Sequence, residues 1–224
     1  MSRPSPRKSW SATCATAPDR ADATRAYPAG VPTSLLPPLS PVLERLREHV
    51  LEHSVKHGEF VLKSGATSTW FLDTKQTACR SDGIVAVTDA VLEVFADVFA
   101  DIDAIGGLTL GADPMAYGVA AVAATRGHRL RSFSVRKEAK QGGITGRIAG
   151  ALQPGDRVLV TEDTTTRGTS LIEAADAVAE YGARPTWMSV IVDRGGTCAA
   201  MAAERGIDYR PLLTAPDLGF DYGT

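Results

Sequence analysis

Hydrophobic and polar residues follow two kinds of spacing from Pro41 onwards. Apolar residues three and four positions apart predict amphipathic helices, and short apolar runs predict buried strands. The predicted strands are Glu59–Leu62, Thr69–Thr74, Ala104–Leu108, Arg131–Arg136, Val158–Glu162 and Thr186–Val192, and the predicted helices are Val42–His57, Gly83–Ala100, Asp113–Thr125, Thr169–Tyr181 and Cys198–Arg205. This alternation is typical of an α/β fold with a central, mainly parallel sheet flanked by helices. Ligands of such sheets bind beyond the carboxyl ends of the strands.

The first 40 residues show no apolar period. They are rich in Ser, Pro, Ala, Thr and Arg, which predicts a disordered tail over residues 1–40 and one domain over residues 41–224. The 224 residues, 44% of them hydrophobic, suffice to bury one core. The tail has no apolar region of a secretory signal, and the chain has no run of 18 apolar residues, so we expect no membrane partner.

Charge and cysteine usage narrow the function further. A net charge of −2 gives no field that would attract nucleic acid. Three cysteines without a pattern fit a reducing compartment, which we take to be the cytoplasm, and provide no metal-binding spacing. His49, His53 and His57 recur every four residues on a predicted helix, but no carboxylate or thiol motif accompanies them. We therefore interpret them as a solvated or packing face and predict no metal ligands in the protein.

The segment from Arg157 to Ser170 is the most informative in the chain. An apolar run ends in the adjacent carboxylates Glu162 and Asp163, and a loop of hydroxyl residues leads into a helix. A loop at a helix N-terminus can cradle phosphate with its N–H groups, whereas the carboxylates suit a sugar diol or a Mg²⁺-bound sugar phosphate. The loop contains Thr164, Thr165, Thr166, Arg167, Gly168, Thr169 and Ser170. An ordinary strand-to-helix turn with exposed end-of-strand charges remains the alternative, and neither the P-loop nor the dinucleotide spacing is present.

Further polar groups follow other predicted strands. A turn of small residues, Leu110–Met115, opens a helix, and Asp193 and Arg194 end the strand after the phosphate loop. The basic run Arg136–Lys140 precedes Gln141–Gly150, which has four glycines in ten residues. A mobile basic loop suits a lid that closes over a polyanion, although a solvated charged face is equally compatible with this pattern.

Together these segments resemble the orotate phosphoribosyltransferases, a branch of the type I phosphoribosyltransferases. The resemblance extends from about Leu46 to Thr214. It is carried, in the family's order, by Gly58–Gly65, Trp70–Asp73, Gly107–Pro114, Val135–Lys140, the Glu162–Asp163 loop and Val192–Arg194. The first and fourth of these are specific to the orotate branch. The resemblance implies a type I phosphoribosyltransferase fold with a small N-terminal hood and a flexible lid loop.

The implied reaction transfers 5-phosphoribosyl from phosphoribosyl pyrophosphate to orotate, giving orotidine 5′-phosphate and pyrophosphate in pyrimidine biosynthesis. The resemblance also implies Mg²⁺ between pyrophosphate and ribose, and a homodimer in which the lid of each subunit enters the active site of the other. By the resemblance, Glu162 and Asp163 hold the ribose hydroxyls and Thr164–Thr169 hold the 5′-phosphate, with Ser170 also among the substrate-binding residues. The pyrophosphate is contacted by Lys63, Arg136, Lys137 and Lys140. Phe71 and Leu72 border the base, and Arg194 faces the orotate carboxylate. Arg136, Lys137, Lys140 and Asp163 are the residues expected to act in catalysis.

Three positions depart from the family pattern. Gly142 replaces a lid histidine, Arg167 replaces a small residue in the phosphate loop, and Gly111 replaces a lysine that often follows the small-residue turn. These departures keep two other hypotheses open. One is a related phosphoribosyltransferase with another heterocyclic acceptor, and the other is a non-catalytic protein that binds phosphoribosyl pyrophosphate.

Overall fold

The chain forms a three-layer α/β domain with a small hairpin at one end. A computed structural model describes residues 36–61, 67–140 and 146–223. Its strands are β1 (Val55–Val61), β2 (Thr67–Leu72), β3 (Ala104–Leu108), β4 (Arg131–Lys140), β5 (Gly146–Gly150), β6 (Arg157–Thr165), β7 (Arg184–Asp193), β8 (Asp208–Tyr209) and β9 (Leu213–Thr214). Its α-helices are α1 (Pro41–His53), α2 (Lys75–Ala78), α3 (Ser81–Val94), α4 (Asp113–Thr125), α5 (Thr169–Glu180) and α6 (Cys198–Ala203), and 3₁₀ turns lie at Phe99–Asp101 and Pro216–Leu218.

The central sheet has the strand order β5-β4-β3-β6-β7-β8, and β9 also pairs with β7. All neighbouring strands are parallel except β4 and β5. The carboxyl ends of β3, β4, β6 and β7 therefore meet at one edge of the sheet, where ligands of α/β folds bind. The predicted fold class is confirmed.

Each face of the sheet is covered by helices. On one face, a single buried cluster includes Leu46 of α1, Phe95 directly after α3 and Met115 of α4. On the other face Leu171 and Cys198, from α5 and α6, belong to a second buried cluster. None of the helices in the described residues is long and apolar enough to cross a bilayer.

The first helix ends earlier than predicted, at His53 and not at His57. It stops at His53, and the following residues form β1, which pairs antiparallel with β2. His57 lies opposite Trp70 in this hairpin. Strand pairing therefore overrides the helical spacing of the histidines. The hairpin is the small hood that the family resemblance implies.

The part of the chain assigned to the tail and the lid also differs from expectation. Leu36 and Leu39 pack against the core, and Ser40 Oγ accepts a hydrogen bond from the N–H of Leu43 as the N-cap of α1. Residues 36–40 thus belong to the packed domain, while residues 1–35 lie outside the described residues.

Residues 146–150 of the predicted lid form β5, paired with β4. Gly150 has φ +121°, and a Cβ there would lie 2.7 Å from Phe133 Cα.

Candidate active site

Two buried carboxylates occupy the end of β6. The strand continues to Thr165 because Thr164 and Thr165 pair with Val192 and Asp193 of β7. Glu162 and Asp163 therefore lie within the strand, and only 8% and 7% of their surfaces are exposed. An ordinary end-of-strand charge would be solvated. The exposed-charge alternative for this pair is thus wrong.

Lys75 at the start of α2 forms an ion pair with Asp163. The other oxygen of Asp163, Oδ1, accepts a hydrogen bond of 2.9 Å from the N–H of Thr164. Burial disfavours the charge on Lys75, but the hydrogen bond and charge of Asp163 outweigh burial and raise the pKa of this lysine. Burial, together with the charge of Asp163, raises the pKa of Glu162 to about 8. At neutral pH the environment of Glu162 therefore favours its protonated form.

Gly111 accounts for the close approach of the turn after β3. The peptide between Thr109 and Leu110 in this turn is cis. A Cβ at position 111 would overlap the Glu162 carboxyl group and would come within 3.1 Å of Asp163 Oδ1. The missing family lysine is therefore explained by packing, because any side chain at this position would displace Glu162. The ammonium group beside the pair comes instead from Lys75.

The phosphate loop is a tight turn between β6 and α5. Thr165 Oγ1 accepts a hydrogen bond of 2.8 Å from the N–H of Gly168, which has φ +81° and packs against Cys198. The side chains of Thr166, Arg167, Thr169 and Ser170 are exposed around this turn. The turn thus presents hydroxyl groups and the N-terminus of a twelve-residue helix to solvent. This is the arrangement that binds phosphate groups.

A second loop supports the phosphate turn from β7. The buried Asp193 accepts hydrogen bonds of 2.9 Å from the N–H groups of Gly195 and Gly196 and from the hydroxyl of Tyr209. The Arg194 N–H donates to Thr165 O at 2.8 Å. Asp193, which has no assigned role from the sequence, is therefore a positioning residue for this loop.

Arg194 connects this loop to the hood. Its guanidinium carbon lies 4.4 Å from the centroid of the Trp70 ring, on which Phe220 also stacks. Burial lowers the pKa of Arg194. The neighbouring residues of β2 alternate: Phe71 is 39% exposed, whereas Leu72 is 3% exposed in the core. Of the two residues predicted to border the base, Phe71 is the accessible one.

The predicted pyrophosphate ligands lie mainly on the β4–β5 hairpin. Residues 136–140 extend past Val135, which pairs with the last residue of β3. Arg136 is half-buried and donates to Gly146 O at 3.3 Å, and Lys137 is exposed. Lys140 is the last residue of β4. Lys63 and Gly142 lie outside the described residues.

Sequence reasoning missed Lys75 and the role of Gly111. Lys75 follows Trp70–Asp73 by two residues, so the family segment could have been extended to include it. The contact between Lys75 and Asp163 joins residues 88 positions apart, and no local pattern indicates it.

Comparison with known proteins agrees with this site. No protein-family model matches the chain. The orotate phosphoribosyltransferase of Streptomyces avermitilis is 40% identical over 169 residues, which cover 75% of this chain and 92% of that protein. The structure of Mycobacterium tuberculosis orotate phosphoribosyltransferase with Fe(III) dicitrate has a TM-score of 0.73 and 34% identity, covering 80% of this chain and 100% of that one. The same enzyme with phosphoribosyl pyrophosphate gives a TM-score of 0.69 at 32% identity, with the same coverage.

The parallel sheet with a carboxylate pair and phosphate turn after β6, a hood, and a basic hairpin defines a type I phosphoribosyltransferase. Within that class the similarity is to one branch. The chain belongs to the orotate phosphoribosyltransferase family. The family expected from the sequence is confirmed.

Proposed function

We propose that this protein transfers the 5-phosphoribosyl group of phosphoribosyl pyrophosphate to orotate in pyrimidine biosynthesis. The observation that carries the proposal is the buried Glu162–Asp163 pair directly ahead of the exposed hydroxyl turn of α5. A diol and a phosphate must lie on one small molecule to use both groups. The relatives, which are orotate phosphoribosyltransferases, support orotate as the acceptor.

The donor fits this corner with its ribose toward the carboxylates. Ionised Glu162 and Asp163 accept hydrogen bonds from the two ribose hydroxyls, because carboxylates are acceptors only. The 5′-phosphate occupies the turn of Thr164 to Ser170, where backbone N–H groups and the helix dipole stabilise its charge. Lys75 holds Asp163 in place and keeps positive charge beside the donor.

The leaving group requires cations. The bond between ribose C1 and pyrophosphate breaks with its electron pair going to pyrophosphate, and a ring nitrogen of orotate forms the new bond and loses its proton. Arg136, Lys137, Lys140 and Lys63 stabilise the charge that develops on pyrophosphate. Closing the hairpin over the site excludes water, which would otherwise capture the sugar cation.

Magnesium is proposed to enter with the donor, and Glu162 and Asp163 would hold it. The residues present fit this ion, because Glu162 and Asp163 are adjacent carboxyl groups at the end of β6, and Mg²⁺ commonly uses one or two carboxylates together with substrate phosphates. When bound, it neutralises part of the charge of the departing pyrophosphate.

The acceptor site lies between β7 and the hood. Arg194, held on the face of Trp70, pairs with the orotate carboxylate, and the exposed ring of Phe71 borders the base.

Pyrophosphate release should require orotate, and uracil, which lacks the carboxylate, should react far more slowly. Arg194→Ala should raise the KM for orotate much more than the KM for the donor. Arg184→Ala, at the opposite end of β7, is the matched control.

Other outcomes of this assay lead to other functions. Uracil or another heterocycle that reacts as well as orotate would overturn orotate as the acceptor and support a related transferase. Donor binding without pyrophosphate release from any acceptor would support a non-catalytic binder of phosphoribosyl pyrophosphate.

We also propose a homodimer that acts in the cytoplasm. The segment 136–140, with Arg136, Lys137 and Lys140, extends past the end of β3, and we propose that it serves the site of a neighbouring subunit. Mixing Lys140→Ala subunits with Glu162→Ala/Asp163→Ala subunits should restore activity, because one hybrid site combines an intact lid with intact carboxylates. Two inactive variants that stay inactive after confirmed subunit exchange would contradict a shared site.

The described cysteines, Cys79 and Cys198, are free thiols, as suits a reducing compartment.

A further inference from the structure

A cluster of two histidines and one carboxylate lies on the α1–α3 face, outside the proposed active site. His49 and His53 are one turn apart on α1, and Asp82 is in the first turn of α3. One donor atom from each residue can be chosen so that all three lie within 4.8 Å of one another. His57, the third histidine of the four-residue spacing, is exposed on β1 and does not belong to the cluster. We infer that His49, His53 and Asp82 form a binding site for a divalent transition-metal ion of the Zn²⁺ class.

The spacing of the donor atoms fits a tetrahedral ion. Zinc bonds to nitrogen and oxygen of about 2.0–2.2 Å place neighbouring ligand atoms about 3.3–3.5 Å apart. His49 Nε2 and Asp82 Oδ1 are already 3.4 Å apart. The ring centroids of His49 and His53 are 4.5 Å apart, so small side-chain rotations bring a nitrogen of His53 into the same sphere. Two histidines and one carboxylate leave a fourth position for water, as in known zinc sites.

His49 is oriented as a metal ligand would be. Its Nδ1 lies 3.1 Å from Thr77 Oγ1, which in turn lies 2.7 Å from Ser54 Oγ. Metal-bound histidines commonly use their second ring nitrogen in such a hydrogen bond, which fixes the ring and leaves the first nitrogen for the ion. His49 Nε2 is buried, and the described group that it faces is Asp82 Oδ1, at an ion-pair distance of 3.4 Å. An ion held between these two atoms would satisfy both of them.

The backbone around His49 is adapted to this approach. Gly83 follows Asp82, and a Cβ at position 83 would lie 2.7 Å from His49 Cε1 and would overlap the carbonyl of Thr77. Only glycine therefore allows the start of α3 to come this close to α1. Burial lowers the pKa of His49, which favours the neutral imidazole that binds metals.

The site is accessible and carries negative charge. An open cavity of about 470 Å³ is lined by His49, His53 and Asp82 together with three further acids and one arginine: Glu48, Glu52, Asp89 and Arg45. The side chain of Asp82 is 72% exposed, whereas that of His49 is 11% exposed. His49 is thus largely covered by protein, whereas Asp82 is on the surface and can adjust to an ion.

The test is a titration of the full-length, EDTA-treated protein with Zn²⁺ alone by calorimetry, and with Co²⁺ by visible absorption. We expect one ion per chain and a Co²⁺ spectrum of tetrahedral intensity. His53→Ala and Asp82→Asn should each weaken Zn²⁺ binding at least tenfold, since both positions are accessible and should tolerate substitution. His57→Ala is the matched control and should bind as the parent does. Zn²⁺ should raise the Tm of the parent and of His57→Ala, but not that of His53→Ala.

Three results would overturn the site. The first is that the parent does not bind Zn²⁺ stoichiometrically. The second is that His53→Ala and Asp82→Asn bind Zn²⁺ as well as the parent does. The third is that binding is lost only in Cys79→Ser, which would assign the ion to an exposed thiol. Each variant is checked by circular dichroism, so that unfolding is not mistaken for loss of the site. This test does not involve the transferase reaction, so its outcome is independent of the proposed function.

Discussion

The corner between β6 and α5 is lined by carboxyl groups and the hairpin of β4 and β5 by basic side chains, and the two regions differ in how exposed these groups are. At the corner, Glu162 and Asp163 are buried and fixed by Lys75, by the N–H of Thr164 and by the fit of Gly111. On the hairpin, the basic side chain of Lys137 is exposed to solvent.

The difference indicates how the donor is bound. In the proposed function, the groups that recognise the ribose and its phosphate are already in place before the ligand arrives, so little ordering is needed there. The proposed leaving-group cations Arg136, Lys137 and Lys140 lie on the β4–β5 hairpin, and its proposed closure over the site would lose backbone entropy. We therefore expect changes at the corner to affect mainly donor affinity and changes on the hairpin to affect mainly the rate.

Removing both carboxylates should have the largest effect. Glu162→Ala/Asp163→Ala should abolish measurable donor binding in calorimetry, because at least two charge-assisted hydrogen bonds of about 1.5–3 kcal/mol each are lost. That corresponds to an affinity loss of about 10²–10⁴-fold. Glu180→Ala, an exposed carboxylate at the end of α5, is the control. Unchanged affinity in the double variant would show that the corner does not bind the sugar.

Removing Lys75 should have the next largest effect. Lys75→Ala leaves Asp163 buried beside Glu162 without its ion-pair partner, so the donor affinity should fall by about tenfold to a hundredfold, as for one hydrogen bond to a charged group. Lys75→Arg should restore part of it. Lys56→Ala, which removes a lysine 3.9 Å from the Asp73 carboxylate at the surface, should change nothing. Donor affinity equal to the parent in Lys75→Ala would contradict a preformed corner.

A change on the hairpin tests the other half of the comparison. Gly142→His should raise kcat about tenfold or more with little change in the donor KM, because it adds a donor to the departing pyrophosphate, where one such group is worth about 10²–10³ in rate. Gly142→Ala, which stiffens the loop without adding a donor, separates the two causes. A gain in donor affinity without a gain in kcat would reverse the division between the two regions.

The smallest expected effect is a proton exchange at the corner. In the free protein Glu162, with its pKa near 8, holds a proton at pH 7 that the unfolded chain, with a value near 4.5, does not. This group therefore makes the free protein less stable as pH rises from about 4.5 to 8. Donor binding requires the ionised form, so it should release up to one proton at pH 7, and affinity should increase toward pH 8.

Calorimetry in buffers of different ionisation enthalpy measures this release. Glu162→Gln cannot ionise and should show none of it, while its fold is retained. A release of the same size in the parent and in Glu162→Gln would assign the proton to another group.

Several features of the protein were determined by the sequence alone. The apolar runs predicted β3 and α4 with the observed bounds, and the alternation of strands and helices predicted the parallel sheet. The Glu162–Asp163 loop and the segments around it indicated the family. These signals are local, since they depend on spacing and residue type within a few turns of chain.

Only the tertiary structure decided the environment of the site. Burial of the two carboxylates, the ion pair with Lys75 and the fit of Gly111 beneath Glu162 all join segments distant in sequence. The grouping of the histidines was likewise decided by the tertiary structure. Helical spacing grouped three of them, but pairing of β1 with β2 removed His57, and packing of α3 on α1 added Asp82 to the other two. Spacing along the chain fixes which residues share a face, whereas the partner that face meets depends on how the elements pack.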